Sequence, residues 1–244
     1  MKEIYSALIY KPILNTLVFI YNNISFGDLG LAIIILTILF RLVLYPLFQK
    51  QVRYQAVMQR IQPKLKKIQQ DHKGNMEKQS AATMALYKEH RINPLSGFLI
   101  ILVQLPVFIA LYHAIGRVFK PEILADLYSF ITKPAAINPL FMGFLDLTQP
   151  SYFLVGATAL AQYIQGKLAL GATQASGNSN DPAQKIGQSM VWMAPLITVL
   201  VFAKLPAAVV LYWFISTIFS IGQQILVNKQ LKANEHRGIP ETTS

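Results

Sequence analysis

Five apolar stretches punctuate the chain, at Leu29–Phe48, Leu95–Ile115, Tyr152–Leu170, Met190–Ala203 and Ala207–Val227. Most approach the ~20 residues that a helix needs to cross the hydrocarbon of a bilayer. The fourth is shorter and holds Pro195. Its roughly fourteen residues would span ~21 Å as helix against ~30 Å of hydrocarbon. Either that helix extends back into Ile186–Ser189 or the bilayer thins around it. Lys204-Leu205-Pro206 makes a tight turn into the fifth stretch, so the last two read as a helical hairpin. The pattern predicts an all-α integral membrane protein with a five-helix transmembrane core.

Residues 1–27 read differently. Lys2 precedes an apolar run that Pro12, Asn15, Asn22 and Asn23 interrupt, and no small-x-small cleavage pattern follows. An uncleaved amphipathic helix lying in the outer interface is expected. The core then occupies 28–227, with a cytoplasmic helical hairpin at 50–93, an outer loop at 117–150 and a short cytoplasmic tail at 228–244. Gly171–Asp181 (GATQASGNSND) reads as a flexible polar loop.

Within the hairpin, Tyr54, Met58, Ile61, Leu65 and Ile68 recur on one helical face. Met76, Ser80, Met84 and Tyr87 repeat the pattern more weakly. Lys73-Gly74-Asn75 between them supplies a helix stop and then an N-cap. Pro63 is expected to kink the first arm or to begin a fresh helix.

Composition fixes the solvent and the orientation. Hydrophobic residues make up 53% of the 244 and charged ones 14%, where a soluble domain carries about a quarter charged. The mean hydropathy is +0.40. The formal charge is nevertheless +11, an excess that in a membrane protein marks cytoplasmic loops rather than nucleic-acid binding. Lys50 to Arg91 holds ten basic residues against three acidic, whereas Arg117 to Pro150 holds three of each. The positive-inside rule therefore puts the first loop and the C-terminus in the cytoplasm and the N-terminus outside. With no cysteine in the chain, disulfides and thiolate metal sites are excluded.

Arg41 is the only charge well inside a predicted span, about seven residues from its inner end and so ~10 Å from the cytoplasmic boundary. An arginine near the bilayer centre costs ~2.5–3.5 kcal/mol on insertion scales. It either snorkels to the inner headgroups or faces a wet cavity that would suit an anionic partner. Gln104, Gln162, Gln165, Ser216, Thr217, Gln223 and Gln224 lie in or near spans, where helix–helix hydrogen bonds are their commonest role. Tyr212 and Trp213 serve equally as packing aromatics. No span carries an interior carboxylate for a proton relay. Phosphate-binding glycine loops, HExxH and GxSxG are absent, and the four histidines are scattered. The residues thus offer no catalytic centre, no metal site and no cofactor.

The order of motifs resembles the YidC family of insertases, related to the Oxa and Albino insertases. LTILFRLVLYPLFQKQ (Leu36–Gln51) is similar to its first core helix, with Arg41 ahead of Pro46. IQPKLKKIQ (Ile61–Gln69) is similar to its cytoplasmic hairpin. LYKEHRINPLSGFLIILVQLPVFIALY (Leu86–Tyr112) and LPAAVVLYWFISTIFSIGQQ (Leu205–Gln224) are similar to its second and last core helices. The chain carries no counterpart of the large outer domain of many relatives or the long basic tail of others. Thr217 stands where an asparagine is frequent.

The resemblance implies a positively charged groove open to the cytoplasm and the lipid. Arg41 would be the groove arginine, with Gln165 and Trp213 lining it, Gln162 a rival for Gln165, and Tyr212 beside them. It implies a non-enzymatic insertase of the bacterial plasma membrane that accepts hydrophilic segments of nascent membrane proteins and releases their apolar segments into lipid. The secretion channel and the ribosome are implied partners, and nucleic acid is not. Lys64, Lys66 and Lys67 are expected to recruit clients or ribosomes. The alternative, a small-molecule transporter or channel, requires inverted repeats and a substrate-binding broken helix, and the sequence displays neither.

Overall fold

The computed structural model describes residues 2–90, 96–119, 126–134, 136–170 and 182–236. The expected polar loop at Gly171–Asp181, the end of the tail from 237 onward, and Lys120 and Glu122 of the outer loop lie outside the described residues.

The described part is almost wholly helical. A short helix α1 (Lys2–Tyr5), a π-turn (Ser6–Tyr10) and α2 (Lys11–Asn23) form the N-terminal segment. There follow α3 (Leu29–Val43), α4 (Tyr45–Asp71), α5 (Met76–Glu89) and α6 (Ser96–Val118). A small antiparallel pair, β1 (Leu140–Phe141) and β2 (Leu145–Asp146), precedes α7 (Tyr152–Leu170), α8 (Pro182–Phe202) and α9 (Ala207–His236). By length and hydropathy, Glu3–Asn23 and Ala207–Asn234 are each long and apolar enough to cross a membrane. The N-terminal segment expected at the interface thus also has the dimensions of a span.

Several boundaries depart from expectation. The first stretch is not one helix to Phe48. It ends at Val43, and α4 starts at Tyr45 with Pro46 in its first turn. Proline is favoured there because the first turn's N–H groups lack intrahelical partners anyway. Arg41 therefore sits in the last turn of α3 rather than mid-helix. Pro63 begins no fresh helix, since α4 continues through it. The loss of one N–H bond is outweighed by Val57 and Ile61 on its N-terminal side, both fully buried. The fourth apolar stretch lengthens to α8, whose 21 residues would reach ~31 Å. Of the two expectations for it, extension is observed, and thinning is no longer required by its length.

The chain divides into two compact units. The first comprises Met1–Val43, Ile101–Gln162 and Ala194–Phe219. Its core joins Leu14, Leu17, Val18 and Tyr21 of α2, Leu29, Ile33 and Leu36 of α3, Ala110 and Ala114 of α6, and Val209 to Tyr212 of α9. Capping closes the helix ends. Asp28 Oδ1 accepts from Leu31 N (2.9 Å) at the start of α3. Ser151 Oγ accepts from Leu154 N at the start of α7. The first N–H groups of α9 go to loop carbonyls, Ala207 N to Gln149 O and Ala208 N to Leu147 O. Thr148 donates through its backbone and hydroxyl to Asp146 Oδ1 and holds that carboxyl below the ordinary carboxylate range. This clasp is intact at neutral pH and is lost only as pH falls through that lowered value.

The second unit comprises Leu44–Ile100, Tyr163–Met193 and Ser220–Ser244. The expected hairpin forms, and its turn is the one read from Lys73-Gly74-Asn75. Gly74 has φ +87°, and Asn75 Oδ1 accepts from Lys78 N (3.0 Å) to cap α5. The hairpin does not stand alone. Val52, Ala56, Val57, Ile61 and Leu86 share a core with Val227 and Leu231 of α9, with Tyr54, Met58, Leu65, Ile68 and Tyr87 half-buried around it. The stripe predicted on α5 is corrected: Met76 and Met84 are exposed, and Leu86 is the buried anchor.

Asn15 ties the N-terminal segment to the outer loop. Its Nδ2 donates to Asp126 O (3.0 Å) and Lys11 O (2.8 Å), and its Oδ1 accepts from Tyr128 N (2.6 Å). The side chain is 3% exposed, and its loss removes the partner of two part-buried backbone groups, Asp126 O and Tyr128 N, at up to ~1 kcal/mol each. Asn15→Ala should lower the melting temperature in detergent by several degrees and open the loop around Tyr128 to limited proteolysis. Unchanged melting and cleavage would show that apolar packing of α2 alone holds the segment.

Candidate functional site

Several polar residues of the first unit gather around two neighbours on α9, Tyr212 and Trp213. Tyr212 is 1% exposed and Arg41 7%. Gln104 Nε2 of α6 donates to the Tyr212 hydroxyl. Ser216, one turn further along α9, lies beside the same hydroxyl, and Arg41 is close enough to interact with it electrostatically. Arg41 is therefore not snorkelling along a lipid face. Its guanidinium is enclosed by protein, in the last turn of α3, where the free carbonyls of a helix end favour a cation.

Trp213 anchors the second group. With the Gln162 amide oriented by its surroundings, Nε2 donates to Ala194 O (3.1 Å) and Oε1 accepts from the Trp213 indole N–H (2.7 Å). The Thr198 hydroxyl touches the same amide. The indole packs against Phe108 and Phe202, with ring centroids 5.6 and 5.3 Å away. Thr217, at the position where the resemblance departs, returns its hydroxyl to Trp213 O (2.8 Å) and is satisfied within its own helix.

Four of the five predicted groove residues, Arg41, Gln162, Tyr212 and Trp213, thus fall in one unit and make or adjoin polar contacts there. Gln165 is half-buried and belongs to the other unit, and Gln162 is the glutamine joined to Trp213. Gln104 and Thr198 complete the contacts. Sequence reasoning passed over Thr198 and gave Gln104 only a helix–helix hydrogen bond, the kind of contact it makes to Tyr212, because a lone amide or hydroxyl in an apolar stretch carries no further signal. Among the described residues no group of His, Asp and Glu is arranged to hold a metal ion.

The basic residues of α4 are already partly engaged. Lys64 Nζ contacts His90 Nε2 (3.2 Å) and Glu89 Oε1 (3.9 Å), fastening the open end of the hairpin. Lys66 is half-buried and Lys67 exposed.

Residues 19–235 match the family model described as 60Kd inner membrane protein. A protein of Oceanobacillus iheyensis named membrane protein insertase YidC is 38% identical over 210 residues, which cover 84% of this chain and 77% of that protein. One of the same name from Pelobacter propionicus is 35% identical over 227 residues, 91% of this chain but 39% of its own length. The chain thus spans about two fifths of some relatives and three quarters of others. The fold also resembles the crystal structure of an active YidC insertase with its first transmembrane domain resolved. That likeness has a TM-score of 0.59 and 24% identity, and covers 87% of this chain and 45% of that one. The chain belongs to the YidC family of membrane proteins.

Proposed function

We propose that the protein is a membrane protein insertase of the bacterial inner membrane, working without catalysis or nucleotide. The observation that carries this reading is the enclosed Arg41 beside Tyr212 and Gln104, a cationic polar seam inside an otherwise apolar helical unit. A guanidinium held in protein attracts an acidic or polar stretch that lipid would reject. The hydrophilic segment of a client enters this seam, while its apolar segment partitions into lipid along α7 and α8. Their exposed Leu160, Ile164, Leu196 and Leu200 support such a route. Apolar transfer supplies the driving force. The membrane core keeps the five-span topology read from the sequence, N-terminus outside and C-terminus cytoplasmic. Residues 1–27 lie in the outer interface, a placement supported by the non-helical backbone at Asp126, Thr132 and Asn138 that hydrogen-bonds along α2, because such backbone is not tolerated against lipid. Nascent membrane proteins are the clients, and the secretion channel and ribosome are partners.

The experiment is insertion of two matched single-span clients, differing only in acidic residues of the translocated segment, in cells depleted of their own insertase. Arg41→Ala should slow the acidic client by about tenfold, the rate equivalent of ~1.4 kcal/mol. Arg41→Lys should retain much of the activity because the charge remains. Equal loss for both clients would remove the electrostatic role and leave Arg41 a structural residue.

Recruitment is assigned to Lys64, Lys66 and Lys67 on α4. Replacing all three with Gln should weaken insertion severalfold at low salt and less at high salt, where the charge is screened, with the melting temperature little changed. Insertion untouched at low salt would reduce the patch to a topology signal.

A further inference from the structure

Among the described residues only two other than glycine have positive φ, Phe26 (+54°) and Met142 (+51°). Such a conformation is uncommon and costly for bulky side chains. Both lie at one place in the fold. Asp28, which caps α3 through Oδ1, uses Oδ2 to accept from Met142 N (2.7 Å), and Phe26 stands two residues before it. The turn between β1 and β2 closes with Phe144 N donating to Phe141 O. Its central residues, Met142 and Gly143, both have positive φ, as a type I′ turn requires. Phe141 presses its ring onto Gly30, where a Cβ would fall inside the ring. The hairpin is thereby locked to the first turn of α3.

What these two strained loops present is apolar. Phe26 is 99% exposed, Phe144 77% and Met142 64%. The tip sequence Leu140-Phe141-Met142-Gly143-Phe144-Leu145 carries no charge. The nearby carboxylates are spent on backbone amides, Asp28 on Leu31 and Met142, and Asp146 on Thr148. Backbone donors at Ser25, Gly27, Asp28, Met142 and Phe144 are satisfied internally, which lowers the cost of placing these loops against lipid.

We propose that Phe26, Met142 and Phe144 form a two-pronged lipid anchor that dips into the leaflet at the Leu29 end of α3. The depth fits: the prongs adjoin residues 28 and 30, where the apolar run of α3 begins, the boundary of headgroup and acyl chain at which interfacial segments bury Phe and other apolar side chains. The anchor fixes α3, and with it Arg41, at a set depth.

The inference rests on α3 crossing a bilayer, and the test separates the two. Because the chain has no cysteine, single variants Phe26→Cys, Phe144→Cys, Leu39→Cys and Lys133→Cys can carry an environment-sensitive fluorophore. The full chain is reconstituted in phosphatidylethanolamine–phosphatidylglycerol vesicles. Leu39, an exposed apolar position on α3, reports whether that helix is in lipid at all. With Leu39 quenched by nitroxide lipids, labels at 26 and 144 should be quenched at least about twofold more by nitroxide near the headgroup than the label at exposed Lys133, and be shielded from aqueous iodide. Iodide access at 26 and 144 equal to that at 133 would overturn the anchor. So would protection from both quenchers, which would mean that protein covers the tips. An unquenched label at Leu39 would refute the membrane placement itself.

Discussion

A buried guanidinium in an apolar helical bundle is the constraint on which the first unit turns. Removing Arg41 from water costs several kcal/mol unless polar groups replace its hydration. At 7% exposure it cannot reach headgroups freely. The response of the fold is local. Arg41 lies in the last turn of α3, the end of a helix that favours a cation, and Tyr212, itself in contact with Gln104 and Ser216, is its polar neighbour. A seam that solvates one trapped cation is also one that a polar client segment can share. In the proposed function, the burial that makes Arg41 expensive is also what draws a polar client segment to it.

The second requirement is that this seam be held in register while its neighbours face lipid. The outer loop does much of that work. It caps α9 through Gln149 and Leu147, binds α2 through Asn15 and Tyr21, and clasps the head of α3 through Asp28. Charged Asp126 joins the same assembly through Arg117 (3.1 Å). Tyr212 is thus set by an α9 whose start is pinned, and Arg41 by an α3 whose start is pinned.

Much of this was legible in the sequence, for identifiable reasons. α7 begins where its apolar stretch does, because that stretch is preceded by Pro150-Ser151. The Gly74–Asn75 turn was legible because only local chemistry decides it. The break at Leu44 was not, since hydropathy runs unbroken through Leu42-Val43-Leu44 and only the downstream Pro46 hints at a restart. The α5 stripe held only at Tyr87, because Met76 and Met84 are apolar at helical spacing yet exposed, whereas Leu86 joins the core with α4 and α9. Within the site, Arg41 announced itself as a charge among apolar residues. The pairing of Gln162, rather than Gln165, with Trp213 depends on helix rotation, which three residues of spacing cannot resolve.

The central claim is that client chains pass through the seam of Arg41, Tyr212 and Trp213. Site-specific photocrosslinking with a benzophenone amino acid at Trp213, and at lipid-facing Leu200 for comparison, to ribosome-stalled single-span chains of increasing length tests it most directly. The account predicts that the hydrophilic flank of the client crosslinks at 213 at short lengths and its apolar segment at 200 at longer ones, and that a stalled soluble protein crosslinks at neither. Apolar and hydrophilic segments crosslinking only at 200, with 213 silent at every length, would contradict it.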